Sequence, residues 1–166
     1  MRTKLLSLFA ASLLLAACAS ETTTTAGSAG GGAAAAPAPA TAPRTGPVPG
    51  SQQDLVVNVG DRVFFDLDKS DLKPEARRTL ERQAAWLKQY GNVAVTIEGH
   101  CDERGTREYN LALGDRRAKA AANYLASLGI AANRVRTISY GKERPAVLGS
   151  NEAAWSQNRR SVTVVN

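Results

Sequence analysis

The chain has 166 residues and a formal net charge of +6; Arg2 and Lys4 supply two of those charges, so the remainder carries about +4. From Asp54 onward Lys and Arg alternate with Asp and Glu and no aromatic ladder accompanies them, which excludes the basic face and stacking platform of a nucleic-acid-binding protein. Only about the last 115 residues carry enough large apolar side chains to bury a core, so one domain of ordinary size is expected.

The N-terminus reads as an export signal. Arg2 and Lys4 form a basic start, Leu5 to Leu15 an apolar run too short to span a bilayer as a helix, and small residues follow at Ala16 and Ala17. The end of this segment, Leu15-Ala16-Ala17-Cys18, resembles a bacterial lipobox, in which residues 1–17 are removed and Cys18 is acylated. Several acyl chains, at roughly 0.8 kcal/mol per buried methylene, make such an anchor effectively permanent. Ala19 stands where an inner-membrane retention signal typically has Asp, which points to the outer membrane.

With Cys18 lipidated, Cys101 has no partner within the chain, and no disulfide is expected. No metal site is expected either: His100 and Cys101 are adjacent, the chain has a single His, and the pair reads as the end of a strand with one side chain turned inward. Residues 18–53 are Ala, Thr, Gly, Pro and Ser with hardly a large apolar residue, a composition that cannot offset its own ordering entropy and reads as a disordered tether. About 35 such residues have a root-mean-square span of roughly 30 to 35 Å and reach no more than about 120 Å when extended.

The folded domain is expected over residues 54–166. Leu55 to Val57 and Arg62 to Phe65 are short β-rich runs separated by a turn at Gly60. The Asp-rich loop from Asp66 to Asp71 lacks the central glycine and terminal Glu of a calcium loop. Pro74 suits the first position of a helix whose apolar face is Ala76, Leu80, Ala84 and Leu87, ending at Gly91-Asn92. Val93 to Glu98 alternates as a strand, Gly99 ends it, and a long helix runs from near Thr106 to Gly129. Its core stripe is Leu111, Gly114, Ala118, Ala121, Leu125 and Leu128; a second row of Thr106, Asn110, Leu113 and Arg117 lies about 80° round, toward a partly covered edge. Arg134 to Tyr140 is a strand, Asn151 to Gln157 a short helix capped by Asn151 with Trp155 packed inward, and Ser161 to Val165 a closing strand. The predicted fold is α+β, β-α-β-α-β-β, with helices on one face of a small mixed sheet and the last strand inside the sheet or antiparallel to a neighbour.

Asp102 and Arg117 stand out because they flank the entry to the long helix. Arg117 lies about 16 Å along that helix, and its side chain leans back toward the start, leaving a gap between the two charges. A ligand with an ammonium for Asp102 and a carboxylate for the planar guanidinium of Arg117 would fill the gap. The plainer arrangement, still open on periodicity alone, has Asp102 stabilising its loop and Arg117 paired on the surface with Glu108 or Asp115. A glycosidase would require two carboxylates, for example Asp66 with Asp102 or Glu103, one of them holding a proton.

Several separated motifs decide between these. Phe64-Phe65-Asp66-Leu67-Asp68-Lys69, Glu98-Gly99-His100, Asp102-Glu103-Arg104-Gly105-Thr106, Tyr109-Asn110, Leu113-Gly114 with Arg116-Arg117-Ala118, Ser139 to Glu143 and Asn158-Arg159-Arg160 occur in an order that resembles the OmpA-like peptidoglycan-binding domain. The resemblance covers residues 54–166. It implies a non-catalytic domain without cofactors that grips the meso-diaminopimelate of a peptidoglycan stem peptide, Asp102 taking the ammonium and Arg117 the carboxylate, with Phe65, Asp66 and Asn110 lining the pocket. It also implies a periplasmic domain anchored to outer-membrane lipid, with TolB and other Tol proteins as partners and roles in envelope integrity and cell division. The alternative within the family is an outer-membrane lipoprotein that binds peptidoglycan without Tol partners. Cys101 departs from the small Ala or Thr usual at its position.

Overall fold

The computed structural model describes residues 46–166; the signal segment, Cys18 and most of the tether lie outside the described residues. The first element corrects an expectation. Leu55 to Val57 is helical: α1 (Gln52–Asp54) runs into a wider, π-helical turn over Leu55–Val59. Ser51 caps this start by accepting the Asp54 N–H at 3.2 Å, and Gly60, at φ +96°, ends it. Of the three apolar residues only Leu55 is buried, while Val56 and Val57 face solvent, a burial pattern that suits one helical turn packed on its side. Gln52, which composition assigns to the tether, is bonded into the fold: its amide donates to the Thr163 carbonyl and accepts the Val165 N–H at 2.7 Å.

Asp54 ties this segment to the next helix. Its carboxylate accepts the Gly50 N–H at 2.8 Å, the Trp86 indole N–H at 2.9 Å and the Asn58 amide at 2.7 Å. These three bonds, with the Gly50 N–H first among them, hold its pKa below the usual carboxylate value.

β1 (Arg62–Phe64) leads through the Asp-rich loop to α2 (Pro74–Gln89), with Pro74 at its first turn. The expected face, Ala76, Leu80, Ala84 and Leu87, is buried, and so is Gln83, whose amide donates to the Gly60 carbonyl and accepts from the Thr163 hydroxyl. The end of α2 is held by Arg134, which donates to the carbonyls of Leu87, Tyr90 and Val93, each at 2.8 Å. β2 (Val95–His100) begins two residues later than expected, α3 spans Arg107–Ser127, and a 3₁₀ turn over Ala132–Arg134 shifts the start of β3 (Val135–Gly141) by one residue. α4 (Glu152–Asn158) is capped by the Asn151 side chain and is followed by β4 (Arg160–Val165).

The sheet order is β1-β4-β2-β3, with β2 and β3 parallel and β4 antiparallel to both its neighbours. The closing strand therefore lies inside the sheet, as the expected α+β arrangement requires. Val63, Val95, Ile97 and Thr163 are buried on the face that α2 and α3 cover, together with Leu80, Leu87, Ala118 and Leu125. In α3, Leu113 is buried and Leu111 only half-buried, the reverse of the expected stripe. The helix sinks both its rows into the molecule, so Arg117 is in the interior, where periodicity had placed it near a covered edge.

Candidate functional site

The loop from Cys101 to Thr106 joins the end of β2 to the start of α3, and its own polar groups fix its shape. Thr106 caps α3 by accepting the Tyr109 N–H, and Gly105 turns with φ +85°, which a side chain would strain. Asn110, only 2% exposed, reaches back one turn and donates to the carbonyls of Arg104 at 2.7 Å and Thr106 at 2.9 Å. The amide thus staples the loop to the helix.

Arg117 is 1% exposed and has no carboxylate partner among the described residues. Its Nε donates to the Lys69 carbonyl at 2.8 Å, Nη1 to His100 at 2.8 Å and Nη2 to Asp66 at 3.1 Å, with the guanidinium 5.2 Å above the Phe65 ring. Burial pulls its pKa down from the ordinary arginine value. A guanidinium has five N–H donors, so two remain for another acceptor. The surface pairing with Glu108 or Asp115 does not occur; Asp115 pairs instead with Lys119 at 2.9 Å.

Asp102 is 5% exposed. One oxygen accepts the backbone N–H and the Nε of Arg104, both at 3.2 Å; the other accepts Arg104 Nη2 at 2.6 Å and Arg159 Nη1 at 3.5 Å. Burial works to raise its pKa, but the bonds and charge of Arg104, with the bond from Arg159, outweigh it and hold the group below the usual carboxylate value. Glu103 and Asp66 are also held low, the first by bonds from Ser150 and Trp155 and the second by Lys73. None of the carboxyls weighed for glycosidase chemistry keeps a proton near neutrality, and a general acid needs one.

Asp102, Asn110 and Arg117 share a cleft of about 150 Å³ with Leu67, Asp68, Arg104, Tyr109 and Leu113 on its walls. The Tyr109 hydroxyl donates to the Asp68 carboxylate, joining α3 to the Asp-rich loop beside the cleft. A larger groove of about 350 Å³ between β1 and α2 has only exposed charges, those of Arg62, Lys73 and Glu75. The remaining expected residues are placed differently. Phe65 is buried beneath Arg117 and does not line the cleft. Asp66 contributes its carbonyl to Arg117, while its carboxylate is exposed and bonded to Lys73 at 2.9 Å.

Sequence reasoning missed three contributors. Arg104 lies 4.0 Å above the Trp155 ring, so Trp155 is a half-exposed platform and not the inward-packed residue expected. Trp155 is itself oriented by its indole N–H, which donates to Glu103 at 3.1 Å. Arg159 is buried and donates to the Phe65 carbonyl and to Glu152 besides Asp102. Arg104 and Arg159 both stand in motifs visible in the sequence, but their meeting at Asp102, and the stacking of Arg104 on Trp155, were not.

His100 and Cys101 are both buried, where only one was expected to turn inward. Neither His100 ring nitrogen has a hydrogen-bond partner within bonding geometry; the nearest carboxylate oxygen, from Glu98, is 3.5 Å away, Tyr140 lies alongside, Arg160 opposes a positive charge, and the Arg144 backbone favours one more than the Arg144 guanidinium opposes it. Burial first, then Arg160, pushes its pKa down to about 4. Between that value and the unfolded-state value of 6.5 the unfolded chain binds the extra proton, so stability falls as the pH drops through this window. Urea unfolding at pH 7 and pH 4.5 is expected to differ by on the order of 2 kcal/mol from this group, and His100→Leu is expected to remove that part of the difference. Equal pH dependence in the two proteins would refute the assignment.

The geometry joins a set of known proteins. The OmpA family pattern matches residues 64–159, which run from the last residue of β1 to just past α4 and include every residue of the cleft. The peptidoglycan-associated lipoprotein of Agrobacterium fabrum is 61% identical over 117 residues, covering 70% of this chain and 66% of that protein, just under two thirds of its length. The protein of the same name from Brucella melitensis is 61% identical over 118 residues, covering 71% and 70%. The crystal structure of the peptidoglycan-associated lipoprotein from Burkholderia pseudomallei superimposes with a TM-score of 0.62 at 40% identity, covering 64% of this chain and 90% of that one. Matched in pattern across the cleft and in fold over 64% of its length, this chain belongs to the OmpA family.

Proposed function

We propose that this protein is an outer-membrane lipoprotein that binds peptidoglycan without turnover, gripping the meso-diaminopimelate of a stem peptide. One observation carries the reading: a buried carboxylate and a buried guanidinium with two free donors share a cleft without being paired to each other. The distal carbon of diaminopimelate bears an ammonium and a carboxylate, one for each group, with charge-assisted bonds at both ends. Asn110 keeps the loop in place for this contact, and Phe65 and the Asp66 carbonyl hold Arg117. The names of the relatives support peptidoglycan as the ligand.

The rest of the proposal concerns where the domain acts. Acylated Cys18 anchors the chain in outer-membrane lipid, the segment from Cys18 up to the Ser51 cap supplies the leash, and the domain faces the periplasm. Among the described residues no helix is long and apolar enough to cross a membrane. A clamp on such a leash couples the outer membrane to the wall, and in a Tol-Pal system it works with TolB and other Tol proteins during outer-membrane invagination in cell division. The support for these partners is the family resemblance.

Calorimetric titration with stem peptides tests the ligand. The diaminopimelate peptide is expected to bind and the lysine peptide to bind much more weakly, because lysine lacks the distal carboxylate and leaves Arg117 without its acceptor. Asp102→Asn is expected to cost roughly 2 to 3 kcal/mol of binding. Equal affinity for the two peptides would sink the reading.

A further inference from the structure

The oxygens of Asp102 are already fully used. A carboxylate offers about four lone-pair positions, and here one oxygen takes two N–H groups of Arg104 while the other takes a third from Arg104 and one from Arg159. An incoming ammonium therefore needs one of these donors to leave. Arg159 is poorly placed to do so: its side chain is 8% exposed and is fixed by the Phe65 carbonyl at 3.1 Å and by Glu152 at 2.5 Å. The Arg104 side chain is 34% exposed, lines the cleft, and already lies on the Trp155 ring at 4.0 Å while it bonds Asp102, with the carboxylates of Glu103 and Glu152 near enough to favour its charge.

We propose that Arg104 is the resident cation of the cleft: in the empty site its guanidinium fills Asp102 while lying on the Trp155 ring, and a ligand's ammonium binds by displacing it from Asp102, across the face of that ring, toward the carboxylates of Glu103 and Glu152. This rests on the reading of Asp102 as the ammonium acceptor. Arg104 is then a specificity-determining residue, because a neutral group gains too little from Asp102 to replace a bidentate guanidinium and is refused. A cation repays the exchange, since Arg104 keeps its aromatic contact when it moves.

The test uses two ligands with the full chain, n-butylammonium and a diaminopimelate stem peptide, against wild type, Arg104→Gln and Arg104→Lys. Removing the competitor is expected to tighten both ligands about fivefold in Arg104→Gln, the scale of a partly exposed ion pair. Arg104→Lys, which keeps a charge but no fork, is expected to fall between that variant and wild type, and it serves alone if the glutamine variant does not fold. The emission of Trp155 is expected to change on ligand binding in wild type and not in Arg104→Gln, a signal that a purely structural role would not produce. Unchanged or weaker affinity in the variants would overturn the proposal; a weaker peptide affinity would make Arg104 a contact for the ligand's carboxylate. If the peptide fails to bind wild type, the peptidoglycan reading falls, and the butylammonium series still decides whether Arg104 competes for Asp102.

Discussion

Arg117→Ala is expected to lower the stability of the protein by about 3 to 5 kcal/mol as well as to abolish ligand binding. The guanidinium links three carbonyls from two separate segments, those of Asp66 and Lys69 in the loop after β1 and that of His100 at the end of β2. Alanine leaves all three acceptors in a void that few other donors can reach, and each buried unsatisfied group costs about 1 to 3 kcal/mol. Relaxation and entry of water recover part of that sum. Arg117→Lys keeps the charge but reaches at most part of the set, because an ammonium has no planar fork with which to span it. The expected order of urea midpoints is wild type, then Arg117→Lys, then Arg117→Ala, and peptide binding should disappear in both variants. An Arg117→Ala protein with wild-type midpoint would contradict the structural role; one that also bound peptide normally would contradict both roles. Loss of binding in Arg117→Ala thus mixes a missing ligand contact with a loosened cleft, and Asp102→Asn is the cleaner probe of the ligand.

Much of the frame was legible from spacing. The face of α2 follows from four apolar residues at helical intervals, the start of α3 from Thr106, and the opposed pair of Asp102 and Arg117 from the loop-helix junction. Arg117's burial was not legible, because a charged residue beside a core stripe reads as a rim residue until the carbonyls that receive it are known, and two of them come from the loop after β1. The same reason hid Arg104. Its partner ring, Trp155, is on α4, and an apolar residue in a short helix reads as core unless the cation stacked on it is seen. Leu55 to Val57 misled for a different reason: three β-branched or apolar residues carry no period, and the helix there depends on the Ser51 cap and the bond from Trp86 to Asp54. The conformation of that segment is decided by contacts made elsewhere in the chain.

Gly99→Ala is expected to destabilise the protein by at least about 3 kcal/mol, the upper end of the usual cost of overpacking. A Cβ on Gly99 would lie 1.9 Å from the Gly114 carbonyl oxygen and 2.6 Å from its carbon, so the obstacle is the backbone of α3 and no side-chain rotation relieves it. Relief requires α3 to move off β2. That helix carries Asn110 one turn before Gly114 and Arg117 one turn after it, so the movement would open the cleft along with the core. Gly114→Ala is a milder insult: its Cβ would meet the Ser139 hydroxyl at 2.3 Å and the Gly99 oxygen at 3.0 Å, and the hydroxyl belongs to a side chain that can rotate or be removed. Ser139→Ala is therefore expected to restore part of the stability lost in Gly114→Ala and none of that lost in Gly99→Ala. Urea unfolding of the three variants and two double variants reads this difference; rescue of Gly99→Ala by Ser139→Ala would show that the close approach of α3 to β2 does not set the position of the cleft.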